Sequence, residues 1–99
     1  MIEVALETST RQPSVAVRDA TRVVERRLDR NGAHASDLLP ALDALLTECG
    51  AGPRDITRIA VGIGPGSYTG LRVGIATAQG LARGTGAPLV GVSKVKAKL

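Results

Sequence analysis

The sequence has no Phe and no Trp, and Tyr68 is its single aromatic residue. A 99-residue chain must therefore fill its core with Leu, Val, Ile and Ala. Each large aliphatic contributes about 1.5–3 kcal/mol when buried. A domain of this size buries a modest share of its surface, so association is an expected source of extra burial. Cysteine is also scarce. Cys49 stands alone, which excludes an internal disulfide and fits a reducing, cytoplasmic setting. His34 is the single histidine. A hydrolytic metal site needs about three protein ligands, commonly His with Asp, Glu or Cys, and His34 with Asp37 is one pair without a second His. No metal is expected. No run approaches the 18 apolar residues of a membrane span, and Glu3 and Glu7 interrupt the start, so neither span nor secretory signal is expected.

Charge is unevenly placed. The net charge is +4. Residues 1–50 hold six Arg against eight acids, whereas residues 51–99 hold seven basic residues against Asp55. All three Lys (94, 96 and 98) fall in the last six residues. A basic half can attract nucleic acid, but no aromatics are interleaved for base stacking, and a solvated surface explains the same pattern.

Three short alternating segments, Ile2–Leu6, Ser14–Arg18 and Arg22–Leu28, predict an antiparallel meander; a helix over 19–30 is the alternative for the third. Leu38, Leu42, Leu45 and Cys49 recur at helical spacing, with Ser36 as N-cap, Pro40 near the first turn and Gly50 as stop. This predicts a helix over about 36–49. The apolar run of Ile56–Gly62 predicts a strand buried on both faces. A second helix over 69–83, ended by Gly84, and a strand Leu89–Val92 complete the order βββαβαβ. A mixed sheet with two helices follows, in one domain over 1–99.

Gly62-Ile-Gly-Pro-Gly-Ser-Tyr-Thr-Gly-Leu-Arg-Val-Gly74 joins a strand to a helix. Such a turn can present backbone N–H groups to an anion, and Gly64, Gly66 and Ser67 are the candidate contacts. It is not a Walker A loop, because no Gly-Lys-Ser/Thr ends it. It is not the dinucleotide fingerprint either, since the third Gly is misplaced. Thr8 and Ser9, after the first strand, lie in a hydroxyl-rich hairpin that resembles the phosphate-wrapping first hairpin of actin-like ATPases, a likeness that makes them candidate phosphate contacts; ordinary turn chemistry is the alternative. Ser67 and Thr69 have no base nearby for nucleophilic catalysis, so no catalytic residue is assigned.

Gly70, Gly74 and Ala78 form a smooth helical stripe. It serves either a contact inside the domain or one between molecules. In the second case a partner would meet Gly70, Leu71, Arg72, Gly74 and Ala78. Gly74→Leu would then block association and leave the domain folded.

Ala5-Leu-Glu-Thr-Ser-Thr10, Ser14-Val-Ala-Val17, His34-Ala-Ser-Asp-Leu-Leu-Pro40 and Gly62–Leu81 together resemble the TsaB family in order and spacing. The resemblance spans about residues 2–93, the N-terminal half of a family member. It implies one actin-like (RNase H-like) lobe with strand order 3-2-1-4-5. It also implies a non-catalytic role in making threonylcarbamoyladenosine at position 37 of tRNA, with the two helices pairing with TsaD or a second copy, so that His34, Leu38 and Leu42 would join the residues of the second helix at that interface, and with TsaE in the assembly. Contact with tRNA would be indirect. No intrinsic cofactor is implied; ATP or ADP would bind at a complex interface. Where TsaD carries two metal-binding histidines, this chain offers Lys94 and Lys98, which fits a non-enzyme. Glu7 stands where the family usually has Asp, and the Lys tail departs from the family's continuation. A nucleotide-binding ATPase relic and a metallopeptidase are the alternatives; the lone histidine speaks against the second.

Overall fold

A computed structural model describes residues 1–10, 12–28, 35–66 and 68–93. His34, Ser67 and the Lys tail lie outside these residues. The elements are β1 (Ile2–Glu7), β2 (Ser14–Arg18), β3 (Val23–Arg27), α1 (Ala35–Glu48), β4 (Ile56–Gly62), α2 (Tyr68–Thr85) and β5 (Leu89–Val92). A 3-10 turn, Pro53–Asp55, leads into β4. The five strands form one sheet of order β3-β2-β1-β4-β5, as expected. The third segment is a strand: Val24 pairs with Val17 and Val23 with Arg18, where β-branched side chains fit a pleated surface.

β1 is the hinge of the topology. It runs antiparallel to β2 through Val4↔Val17 and Leu6↔Val15, and parallel to β4 through Val4↔Ile59 and Leu6↔Val61. Alternation then sends Ile2, Val4, Leu6, Val15, Val17, Ile59 and Val61 to one face, where they are buried. Both helices cover that face. α1 contributes Leu38, Leu42, Leu45 and Leu46, and α2 contributes Ala78. Buried leucines thus stand in for the missing aromatics.

None of the helices or strands among the described residues covers the opposite face of the sheet, and this corrects one expectation. β4 is buried on a single face: Thr57 and Arg58 are exposed, and Ala60 and Gly62 half-buried. Its near-continuous apolar look came from Ala60 and Gly62, which are small enough to sit on an open face. Ala5, Ala16 and Ala60 floor that face. Beside them Glu3 joins Arg18 of β2 and Arg58 of β4, the latter at 3.5 Å.

Helix ends follow local chemistry. α2 passes through Gly84 to Thr85, whose hydroxyl donates to the Leu81 carbonyl at 2.8 Å. Gly86, at φ +77°, stops it instead, and its N–H bonds the Ala82 carbonyl. No helix among the described residues is long and apolar enough to cross a membrane.

Candidate functional site

The glycine-rich segment packs onto one tripeptide. Glu7 ends β1 and Thr8 and Ser9 turn from it toward β2, and four glycines spaced by four residues close on them. A Cβ on Gly62 would lie 2.6 Å from the Glu7 carboxyl carbon. On Gly66 it would lie 2.6 Å from the Ser9 carbonyl oxygen and hydroxyl. On Gly70 it would overlap the Thr8 carbonyl, and on Gly74 the Thr8 hydroxyl. The Gly70 contact is with backbone that cannot swing aside, so glycine there lets α2 lie against this hairpin, whereas the Glu7 carboxylate facing Gly62 is the end of a flexible side chain.

The hydroxyls of the tripeptide are already engaged. Thr8 is 2% exposed, and its Oγ1 donates to the Gly70 carbonyl. Ser9 is buried, and both its N–H (3.1 Å) and its Oγ (2.8 Å) bond Glu7 Oε2. Thr8 and Ser9 are thus brought together with Gly66, as a phosphate cradle requires, but they bond the protein and not open space. The Glu7 carboxylate also stands among them, and a negative charge there opposes an anion. Gly64 is buried at φ +101°, its surroundings closed by Leu71. The bonds and close contacts seen among the described residues of this corner are those of turn and packing chemistry. Among the described residues, no group of three or more His, Cys, Asp and Glu is placed to hold a metal ion.

The expected partner surface needs correction. Gly70, Gly74 and Ala78 are buried under the lobe's own hairpin and sheet, and Leu38 and Leu42 belong to its core. A partner cannot reach these five without unpacking the lobe. Leu71 is half-buried, and Arg72 is exposed. Arg72 sits over the Tyr68 ring at 5.8 Å from its centroid, within cation–π range. Tyr68 is 74% exposed.

A different small-residue stripe faces outward. Ala76, Gly80 and Gly84 recur at four-residue spacing on the solvent side of α2, all exposed. A Cβ on Gly80 or Gly84 would meet nothing within 4 Å. With Leu81, Pro53 and Leu39 of α1 they line an open, mainly apolar groove between the helices. Leu39 is 46% exposed. The sequence carried this second i, i+4, i+8 pattern beside the first. What it lacked was the phase of the helix, and the pressure of Thr8 on Gly70 and Gly74 fixes that phase.

Known proteins are similar to this chain in sequence and fold. A family model described as TsaD, tRNA N6-adenosine threonylcarbamoyltransferase, matches residues 29–99. The Escherichia coli protein named tRNA threonylcarbamoyladenosine biosynthesis protein TsaB is 42% identical over 90 residues, covering 90% of this chain and 38% of the relative. The chain belongs to the TsaB/TsaD family. A Cereibacter sphaeroides tRNA N6-adenosine threonylcarbamoyltransferase is 49% identical over 61 residues, covering 62% of this chain and 17% of the relative. The solved structure of YeaZ from Pseudomonas aeruginosa superposes with a TM-score of 0.85 at 36% identity, over 94% of this chain and 45% of the other. The chain thus spans about two fifths of the length of the TsaB relatives it matches. Alignment over nearly all of this chain favours TsaB, since the TsaD relative aligns over a shorter part.

Proposed function

We propose that this lobe is a non-catalytic docking subunit of the machinery that makes threonylcarbamoyladenosine on tRNA in the cytoplasm. It pairs with TsaD and joins TsaE in the assembled complex, meeting tRNA through its partners. The observation that carries this reading is the outer face of α1 and α2. There an exposed leucine, Leu39, borders a groove floored by Ala76, Gly80 and Gly84. Such small residues let another helix approach closely, and apolar area removed from water there supplies binding energy at about 25 cal/mol per Å². The chemistry of the first hairpin supports the same reading, because the Thr8 and Ser9 hydroxyls serve the fold. A nucleotide would have to be held chiefly by a second lobe or partner chain.

Co-purification with TsaD tests the proposal. The wild-type lobe should retain TsaD. Gly80→Arg, which fills the groove without touching the core, should release it while its circular dichroism stays unchanged. Equal retention of TsaD by folded Gly80→Arg would overturn the docking face.

A further inference from the structure

β5 is an edge strand, and no strand among the described residues pairs with its outer side. The carbonyls of Pro88 and Val92 accept from the N–H groups of Ile59 (2.9 Å) and Ile63 (3.0 Å). Residues 88, 90 and 92 therefore face β4. By alternation Leu89, Gly91 and Ser93 turn their N–H and C=O groups away from the sheet. Pro88 removes nothing from this edge, because the N–H it lacks would face β4.

The edge is apolar on both sides. Of the large hydrophobic residues exposed among the described residues, three gather here: Ile63 (48%), Val90 (42%) and Val92 (39%). Val90 and Val92 pair with Ala60 and Gly62, on the open face of the sheet. Gly91 pairs with the buried Val61, on the helix-covered face, and Ile63 lies against it there. A Cβ on Gly91 would come within 2.9 Å of Ile63 Cγ2. The far edge of the sheet differs. β3 carries Glu25, Arg26 and Arg27 among its five residues, and such charges blunt a strand edge. β5 carries no charge.

We propose that β5 pairs antiparallel with β5 of a second copy, about a two-fold axis at Gly91, joining the two five-stranded sheets into one. The edge is its own complement. Leu89, Gly91 and Ser93 bond the partner copy's Ser93, Gly91 and Leu89, and an isologous contact repeats each pairing. A two-fold axis at Val90 would instead call on Ala87, whose N–H is already bonded to the Thr85 hydroxyl at 3.2 Å. Pairing at Gly91 sets each Val90 against the other copy's Val92 and brings the two Ile63 side chains together. Apolar contacts then close both sides of the new ladder, and β5 itself brings no charge to it. The groove between α1 and α2 takes no part, so this pairing is independent of the docking proposed above.

Cysteine cross-linking in a Cys49→Ser background tests the register. Val90 and the partner copy's Val92 form a non-hydrogen-bonded pair, with Cα atoms about 4.5 Å apart, within disulfide reach. The two copies of Val90 lie on a diagonal, at about 7–8 Å. Mild oxidation of Val90→Cys mixed with Val92→Cys should link 90 to 92 at least tenfold faster than either variant links to itself, read by mass spectrometry of the joined peptides. Sedimentation velocity on the 99-residue chain should show a dimer that Val90→Lys weakens at least tenfold. Val23→Lys, the same change on the β3 edge, should leave it intact, as should Gly80→Arg. Circular dichroism of each variant confirms the fold. Wild type that stays monomeric at millimolar concentration overturns the proposal. So does linkage of 90 to 90 as fast as 90 to 92, or a dimer that Gly80→Arg dissolves and Val90→Lys spares. Retention of TsaD is read separately by co-purification and does not depend on any of these results.

Discussion

Gly70→Ala and Gly80→Ala make the same change in the same helix, and the structure gives them opposite signs. Alanine is favoured over glycine in a helix interior by about 0.8–1.0 kcal/mol. At Gly80 a Cβ meets nothing within 4 Å, so Gly80→Ala should gain nearly all of that. At Gly70 the Cβ would overlap the carbonyl of Thr8, with the Ser9 Cα at 3.1 Å. These are backbone atoms of a buried hairpin and cannot swing aside. Overpacking of this kind costs about 1–3 kcal/mol. Moving α2 outward also breaks the bond from Thr8 Oγ1 to the Gly70 carbonyl, worth about 1 kcal/mol. The propensity gain offsets part of this, leaving a loss of about 2 kcal/mol. A domain of this length shifts its melting temperature by about 4–8 °C per kcal/mol. Thermal unfolding followed by circular dichroism should therefore place Gly70→Ala about 10 °C below wild type, with Gly80→Ala at or above it. Equal melting temperatures for the two variants would refute the packing of α2 on Thr8.

Thr8→Val keeps the shape of the side chain but removes the hydroxyl that Gly70 accepts; urea unfolding should show a loss of about 1 kcal/mol. Gly74→Leu should unfold the lobe, because its side chain would enter the space of the Thr8 hydroxyl; a folded monomer by circular dichroism and sedimentation would contradict this. The backbone N–H groups of Thr21 and then Arg22 hold the Asp19 carboxyl below its ordinary 3.8. A depressed carboxylate stabilises the fold above its unfolded pKa and loses that contribution as pH falls through the folded value. NMR titration should find Asp19 ionised below pH 3.8, and Asp19→Asn should flatten that part of the acid unfolding curve.

Strand and helix placement were legible because alternation and helical spacing are strong local signals, whereas the order of the strands in the sheet was what the family resemblance implied. Leu38, Leu42 and Leu45 mark the inner side of α1 without help from the rest of the chain. The candidate site was legible as a motif but not as a geometry. Gly62, Gly66, Gly70 and Gly74 fit a phosphate cradle, a docking stripe or tight internal packing equally well. Glu7, Thr8 and Ser9 decide among them, and they lie more than fifty residues away in sequence. The same gap hid the outward stripe. Ala76, Gly80 and Gly84 have the spacing of Gly70, Gly74 and Ala78, and only contact with the hairpin tells which row faces inward. β4 misled for a related reason, since Ala60 and Gly62 read as apolar although one side of the sheet is open.

Two faces stand open among the described residues: the groove between α1 and α2, and the alanine-floored side of the sheet. NMR mapping of the isotope-labelled lobe against unlabelled TsaD separates them most directly. Docking through the helices predicts resonance shifts or broadening at Leu39, Ala76, Gly80 and Gly84, with Ala5, Ala16 and Ala60 unmoved. Perturbation confined to the three alanines, with the groove residues unchanged, would contradict the account.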